Sequence, residues 1–313
     1  MTAVDPHVSA QTPETGRTRV RDVVAAYVGL MKPRVIELLL LTTVPVMFFA
    51  ARGVPELGLV AATVVGGTLS AGSASALNNV YDRDIDEQMR RTRRRALPRH
   101  IVSPVAATIF GLVLGVVSTL LLGFFVNWLS AWLALAANAF YVLVYTMVLK
   151  RRTTQNIVWG GLAGCFPALI GWTAVTGELA WEPVILFLVV FFWTPPHTWA
   201  LALRYREDYA SVDVPMLPVV APARSVARQM LAYSYVMVAT SLLLWPVGDT
   251  GWLYPAAAVV LGAAFLVESH LLLARTAHSD SLSEIKPMRL FHWSNMYLSL
   301  LFVAVALDPL LHL

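Results

Sequence analysis

Charge is what this chain has least of. Only 13% of its 313 residues are Asp, Glu, Lys or Arg, against ~25% in a soluble domain. So few charges cannot cover a surface that faces water, and 58% of the residues are hydrophobic. Cysteine is nearly absent too: Cys165 stands alone in an apolar run, so no internal disulfide can form. The same composition excludes disordered, collagen-like and disulfide-rich secreted classes. Segments of about ten residues with alternating hydrophobicity, the mark of a membrane β-barrel, are missing as well.

What remains is long apolar runs. A spanning helix needs about 20 mostly apolar residues. Nine stretches meet that length: approximately 35–51, 57–80, 104–126, 128–149, 156–176, 183–203, 226–246, 251–273 and 289–307. Pro, Gly or charge clusters separate them. The fold class is all-α: a polytopic bundle of nine transmembrane helices. Residues 1–22, polar and holding Pro6, Pro13 and Gly16, read as a disordered cytoplasmic tail. Residues 23–313 read as a single transmembrane domain. The tail has no apolar h-region, and Asp5 and Glu14 argue against a transit peptide.

Basic residues set the orientation. Assigned to loops, 22 of the 23 Lys and Arg fall on one side of the nine spans, and Arg52 alone falls on the other. The rule that positive loops stay inside puts the N-terminus in the cytoplasm and the C-terminus outside. The expected location is a bacterial inner membrane, with the active-site loops on the cytoplasmic side. Once the loops are assigned no basic face remains, so nucleic acid is not an expected partner.

The chemistry-bearing residues gather on that inner side. At the end of the second run, Asn78, Asp82 and Asp86 are spaced four apart. On a helix each such step turns only about 40°, so the three share one face over roughly 12 Å. An amide and two carboxylates in a row offer hard oxygen ligands to a Mg²⁺ that also binds phosphate. Acids at a helix end also simply solvate it, or pair with neighbouring arginines. Five arginines follow within six positions, Arg90, Arg91, Arg93, Arg94 and Arg95. They suit a polyphosphate, and equally suit a topology anchor on anionic lipid. A third cluster, Lys150, Arg151 and Arg152, carries the same two readings: a further diphosphate contact or an anchor.

The second informative segment runs from Pro195-Pro196-His197 to Asp208-Tyr209 and Pro215-Met216-Leu217-Pro218. Pro196 fits the first turn of a restarted helix. If that helix continues, His197, Arg204 and Asp208 lie on one stripe, seven and eleven residues being near whole turns. A lone intramembrane histidine is often a packing residue, yet ionisable groups at membrane depth are costly and point to function. Glu37, Glu268, His270 and His292 also fall on the inner side, while the outer halves of the runs carry almost nothing ionisable. A transporter needs a polar path through the midplane. A one-sided polar cavity fits an enzyme acting on a lipid-like substrate with a charged head.

These residues resemble the UbiA superfamily of intramembrane prenyltransferases. Its first motif, N-x-x-x-D-x-x-x-D, matches Asn78, Asp82 and Asp86; the adjoining pattern matches Met89, Arg91, Thr92 and Arg95. Within it the sequence is most similar to the protohaem IX farnesyltransferase (haem O synthase) branch. That similarity lies in Lys32-Pro33-Arg34-Val35-Ile36, Lys150-Arg151-Arg152-Thr153, Gln155-Asn156-Ile157, Phe166-Pro167, Ile170-Gly171-Trp172 and Pro195-Pro196-His197 with Trp199. The superfamily's second motif, D-x-x-x-D, is represented by Tyr205 and Tyr209 with Asp208 between them, as in the haem branch. Asp213 departs from that branch, which has Gly there.

The resemblance implies transfer of a farnesyl group from farnesyl diphosphate to a vinyl group of haem B, with hydration, giving haem O. It implies Mg²⁺ on Asn78, Asp82, Asp86 and Asp208, with Asp82, Asp86 and Asp208 as the catalytic acids. Arg91, Arg95, Lys150 and Arg151, with His197, Arg204 and Tyr205, become the substrate-binding residues, His197 as an iron ligand or a group facing the acceptor. Membrane lipid is the surroundings, and a haem A synthase or terminal-oxidase assembly is the implied recipient. Two alternatives stand beside this: the same chemistry on a quinone precursor or chlorophyllide, and a transporter or passive haem-binding membrane protein.

Overall fold

The computed structural model describes residues 20–279 and 281–311, and every regular element among them is helical. Most of the tail read for residues 1–22 lies outside the described residues. Residues 20–22 do not: they open helix α1, Val20–Met31, which hydropathy alone did not reveal. This helix is two-sided, with Ala26 and Leu30 buried and Val20, Val24 and Val28 exposed at intervals of four.

Nine segments among the described residues are long and apolar enough to cross a membrane, and each covers one of the nine apolar runs. They are α2 Pro33–Ala51, α3 Leu57–Tyr81, α5 Pro104–Phe125, α6 Trp128–Ala139 with its continuation to Leu149, α7 Asn156–Gly160 through α8 Phe166–Thr176, α9 Trp181–Arg204, α12 Ala223–Val247, α13 Leu253–Arg275, and α14 Leu282–Ile285 with α15 Pro287–Leu311. The short helices α4 Arg83–Gln88, α10 Arg206–Ala210 and α11 Leu217–Val220 belong to the connecting loops. The chain is therefore a multi-pass membrane protein. Its outward surface agrees: α5 exposes Ile109, Leu112, Val113, Val116 and Leu120, which hydrocarbon accepts and water does not. At one end of the bundle Phe124, Phe125, Trp128, Trp181 and Trp252 stand exposed as an aromatic belt.

Inside, α3 packs on α5, α9 on α12, and α2 lies between α8 and α15. Two acids buried in this core are paired. Glu268 on α13 binds both Arg275 and Arg289, tying α13 to the start of α15. Asp308 is an ionisable group on the side where the sequence shows almost none. It accepts the backbone N–H groups of Gly251 (2.5 Å) and Tyr254 (2.9 Å), satisfying donors at the start of α13 that have no helical partner.

Two features differ from the sequence expectation. The helix does not restart at Pro196: α9 runs unbroken through Pro195 and Pro196 and breaks at Tyr205 (φ −108°, ψ 26°). In hydrocarbon a broken backbone has no water to turn to, so a proline pair is absorbed and the break falls at the interface. The Thr194 hydroxyl meanwhile bonds the Val190 carbonyl at 2.8 Å. Second, the fourth span is not α-helical throughout. Phe140–Leu149 forms ten residues of π-helix, seen in the Lys150 N–H reaching back five residues to the Tyr145 carbonyl (2.9 Å). Such segments are rare and concentrate at functional sites.

Candidate active site

The acid row is buried at the C-terminal end of α3. That helix ends at Tyr81 and α4 begins at Arg83, yet the spacing of four survives the joint. The Asp82 N–H bonds the Asn78 carbonyl and the Asp86 N–H bonds the Asp82 carbonyl, both at 2.9 Å. Asn78, Asp82 and Asp86 are each almost fully buried. Burying carboxylates requires partners, and each has a cation. Asp82 binds Lys150 and receives the Asn78 side-chain amide at 2.7 Å. Asp86 binds Arg95 at 2.6 Å. Arg151 grips Asp84 with both guanidinium nitrogens (2.6 and 2.7 Å) and lies 3.6 Å from Asp82. This pair holds the Asp84 carboxyl below its ordinary value and the Arg151 guanidinium above its own.

Lys32 completes the cluster. Its left-handed backbone (φ 55°) joins α1 to α2, and its ammonium donates to the Asn78 amide oxygen at 2.6 Å. Burial first, then Arg95 and Lys150, push the Lys32 ammonium down to about 7, against the pull of Asp82 and Asp86. An anion arriving here meets a group ready to take up charge.

The arginine run folds back over the row. Thr92 donates to the Asp86 carbonyl (3.1 Å), which turns Arg95 inward, where it also reaches Asn79 (3.2 Å). Arg90, Arg93 and Arg94 stay exposed, outside the cavity lining. Arg91 crosses to the other loop: its backbone N–H bonds Asp208 (3.2 Å), and its guanidinium lies over the rings of Tyr205 (5.5 Å) and Tyr209 (6.0 Å). The two motif-bearing loops are thus joined by one arginine.

Below them opens a cavity of about 470 Å³. Lys32, Asn78, Asp86, Arg91, Arg95 and Lys150 line its charged end, with Tyr141, Tyr145 and Tyr209 beside them. The π-helix brings Tyr141 and Tyr145 to one wall, rings 5.3 Å apart, and carries Thr146 to the Asn78 amide (3.1 Å). Gly160 makes room, since a Cβ there would lie 2.1 Å from the Tyr145 ring. Away from the charges the lining turns to Leu38, Leu39, Ala71, Ala134, Pro167 and Ile170. The arrangement can hold an anionic head and an apolar tail in one space.

Against the UbiA prenyltransferase family, residues 39–295 match. The chain belongs to that family. Among UbiA-type relatives, a protein of a Nocardioides species named protoheme IX farnesyltransferase is 77% identical over 97% of this chain and 96% of its own. Proteins of the same name from Cutibacterium acnes and Streptomyces coelicolor are 61% and 60% identical, over 99% and 92% of this chain and 92% and 91% of theirs. Two solved structures share the fold at low identity. Digeranylgeranylglyceryl phosphate synthase superposes with TM-score 0.75 at 15% identity, covering 92% of this chain and 99% of that one. A UbiA homolog from Archaeoglobus fulgidus, bound to DMAPP and Mg²⁺, superposes at 0.67 and 14%, covering 90% and 99%.

Not all the sequence candidates meet. Asn78, Asp82, Asp86, Arg95, Lys150 and Arg151 form one cluster, and Arg91 caps it. Asp82 and Arg151 stand behind the cavity lining, in contact with Lys150 and Asp84, and Asp208, held by Arg91, does not line the cavity either. Of the stripe expected of His197, Arg204 and Asp208, the first two lie seven apart on the unbroken α9, while Asp208 lies past the break at Tyr205, on α10. Arg204 is exposed. His197 is sandwiched between Trp193 (4.0 Å) and Phe291 (4.5 Å), with Nδ1 on the Ser294 hydroxyl (2.7 Å), and does not line the cavity. Nor do Glu37, Glu268, His270 and His292. Sequence reasoning missed Tyr141, Tyr145 and Tyr209 as lining residues. Lys32 was visible only as part of a family motif.

The residues fit a divalent cation. Asp82 Oδ1 is buried without a hydrogen-bond partner, an acceptor left open beside Asp86 and the Asn78 amide oxygen. The neighbouring donors are carboxylate and amide oxygens, the hard ligands Mg²⁺ prefers, and Mg²⁺ is commonly held by one or two carboxylates plus substrate phosphate. Among the described residues no three His, Cys, Asp or Glu side chains form a complete metal cage, so phosphate oxygens would have to finish the shell.

Proposed function

We propose that this UbiA-family protein transfers the farnesyl group of farnesyl diphosphate to a vinyl group of haem B, with addition of water, to make haem O. The observation that carries the reading is the single cavity joining the cluster of buried acids and cations to a long apolar run. The acceptor is taken from the relatives' name, at 60–77% identity over nearly their whole length. The charged end faces the cytoplasm, on the side that collects the basic loops, and the membrane is a bacterial inner membrane.

The diphosphate lies among Lys32, Arg91, Arg95, Lys150 and Arg151. Asp82 and Asp86, with the Asn78 amide oxygen, would hold Mg²⁺ against it; the ion supplies charge to stabilise the leaving diphosphate. As phosphate enters, Lys150 and Arg95 turn from their aspartates to its oxygens. They then meet the negative charge that develops as the C1–O bond breaks, the kind of preorganised stabilisation that lowers such barriers most. The apolar walls keep water from the allylic cation, and the Tyr141 and Tyr145 rings flank its path. The vinyl carbon of haem B bonds to C1; water adds to the resulting cation and loses a proton; pyrophosphate leaves. Asp208 acts through Arg91, holding it across the mouth. Haem O then passes on to a haem A synthase or oxidase assembly.

The test is product mass from purified protein with Mg²⁺, farnesyl diphosphate and haem B. The reading requires haem-dependent release of pyrophosphate and a product heavier by one farnesyl group and one hydroxyl. Release with an aromatic acid but not with haem would overturn the acceptor.

A further inference from the structure

The depth of the cavity bears on which prenyl chain it takes. One face of α3 lines it from end to end, with Asn78, Ser75, Ala74, Ala71, Ser70, Gly67 and Thr63 all on the wall. At 1.5 Å per residue, Gly67 lies about 16 Å from Asn78 and Thr63 about 22 Å. Thr63 is fully buried and is the lining residue of α3 farthest from the charged end. With carbon–carbon bonds of ~1.5 Å, an extended farnesyl chain of three five-carbon units reaches roughly 14 Å. Starting near Asn78, its last unit ends beside Gly67.

Gly67 has a property its neighbour lacks. A Cβ on Gly66 would lie 2.5 Å from the Leu122 side chain, so that glycine exists to let α3 and α5 approach. A Cβ on Gly67 meets nothing within 4 Å. It would project into open cavity without touching protein, at the level where the third unit sits. Packing gives no reason for a glycine here, and helix propensity disfavours one.

We infer that Gly67 is the position that fixes prenyl chain length, its missing side chain being the space filled by the third isoprene unit. This rests on the prenyl-transfer reading above. A larger residue restricts the cavity to two units.

The test compares geranyl and farnesyl diphosphate as donors to haem B in wild type, Gly67→Ala and Gly67→Leu. The farnesyl-to-geranyl ratio of kcat/KM should fall by at least about tenfold in Gly67→Leu, since misfit of a few carbons in an apolar pocket has that scale. Gly67→Ala should fall between, which keeps the test decisive should the leucine variant fail to fold. Gly66→Ala is the contrast: it should lose thermal stability without moving the ratio. A ratio unchanged in Gly67→Ala and Gly67→Leu, or unchanged in Gly67→Ala where the leucine variant does not fold, overturns the assignment of Gly67. A wild type that uses neither donor overturns the prenyl-transfer reading instead.

Discussion

Replacing Lys150 with methionine removes the cation on Asp82 while keeping most of the side-chain volume. The Asp82 side chain is only 1% exposed, and Oδ2 keeps just the Asn78 amide at 2.7 Å. Oδ1 has no partner to begin with. Removing one member of a buried pair costs about 3–5 kcal/mol, because the remaining charge is stranded. Arg151, 3.6 Å away, offsets part of this, so about 3 kcal/mol is expected, or a fall in Tm of about 5 °C for a chain of this length. Asp82→Asn combined with Lys150→Met strands no charge, and should return to within about 1 kcal/mol of wild type. Turnover should be lost in both variants, since the single one lacks the Lys150 phosphate contact and the double one lacks the Asp82 metal ligand as well. Tryptophan fluorescence during heating in detergent with a chelator present reads stability; product formation reads turnover. A single variant that melts like wild type, or a double variant no more stable than the single, would refute the claim that this pair is held by mutual neutralisation.

Three further outcomes follow from the same geometry. Asp86→Ala should abolish turnover while the protein still inserts and purifies as a monodisperse species; retained turnover would remove Asp86 from the metal site. Lys32 is largely neutral above about pH 7 in the empty site, and a bound diphosphate raises its pKa. Binding at pH 8 should therefore take up more protons in wild type than in Lys32→Met, as read by calorimetry in buffers of different ionisation enthalpy; equal uptake would contradict it. His197→Phe should leave the absorption spectrum of bound haem unchanged, because the ring is held between Trp193 and Phe291, behind the Trp193 that lines the cavity; a shifted Soret band would make it an iron ligand.

The bundle was legible because hydrocarbon imposes one local rule: about 20 apolar residues without charge, and every run that met it became a span. The acid row was legible because a spacing of four is itself a statement about one helix face. Contacts between distant loops were not. Nothing in the sequence places Arg91 over Tyr205 and Tyr209, or Lys32 beside Asn78, since these depend on how four chain segments converge. The stripe through His197 and Asp208 failed because one residue, Tyr205, leaves helical geometry, and single-residue breaks at an interface carry no periodic signal. Tyr141 and Tyr145 escaped for a related reason: spacing arguments assume 3.6 residues per turn, and this stretch does not keep that period.

The π-helical stretch also makes the fourth span intolerant of changes in length. Ten residues wound more loosely than an α-helix stand between Ala139 and Lys150. Deleting one residue there would let the segment tighten to the ordinary winding, each residue of register being worth about 100° of rotation. Lys150, Thr146 and Tyr145 would swing off the cavity together, though not one of them had been altered. Among homologous chains, insertions and deletions should collect in the loops and avoid this span, even where its side chains drift freely.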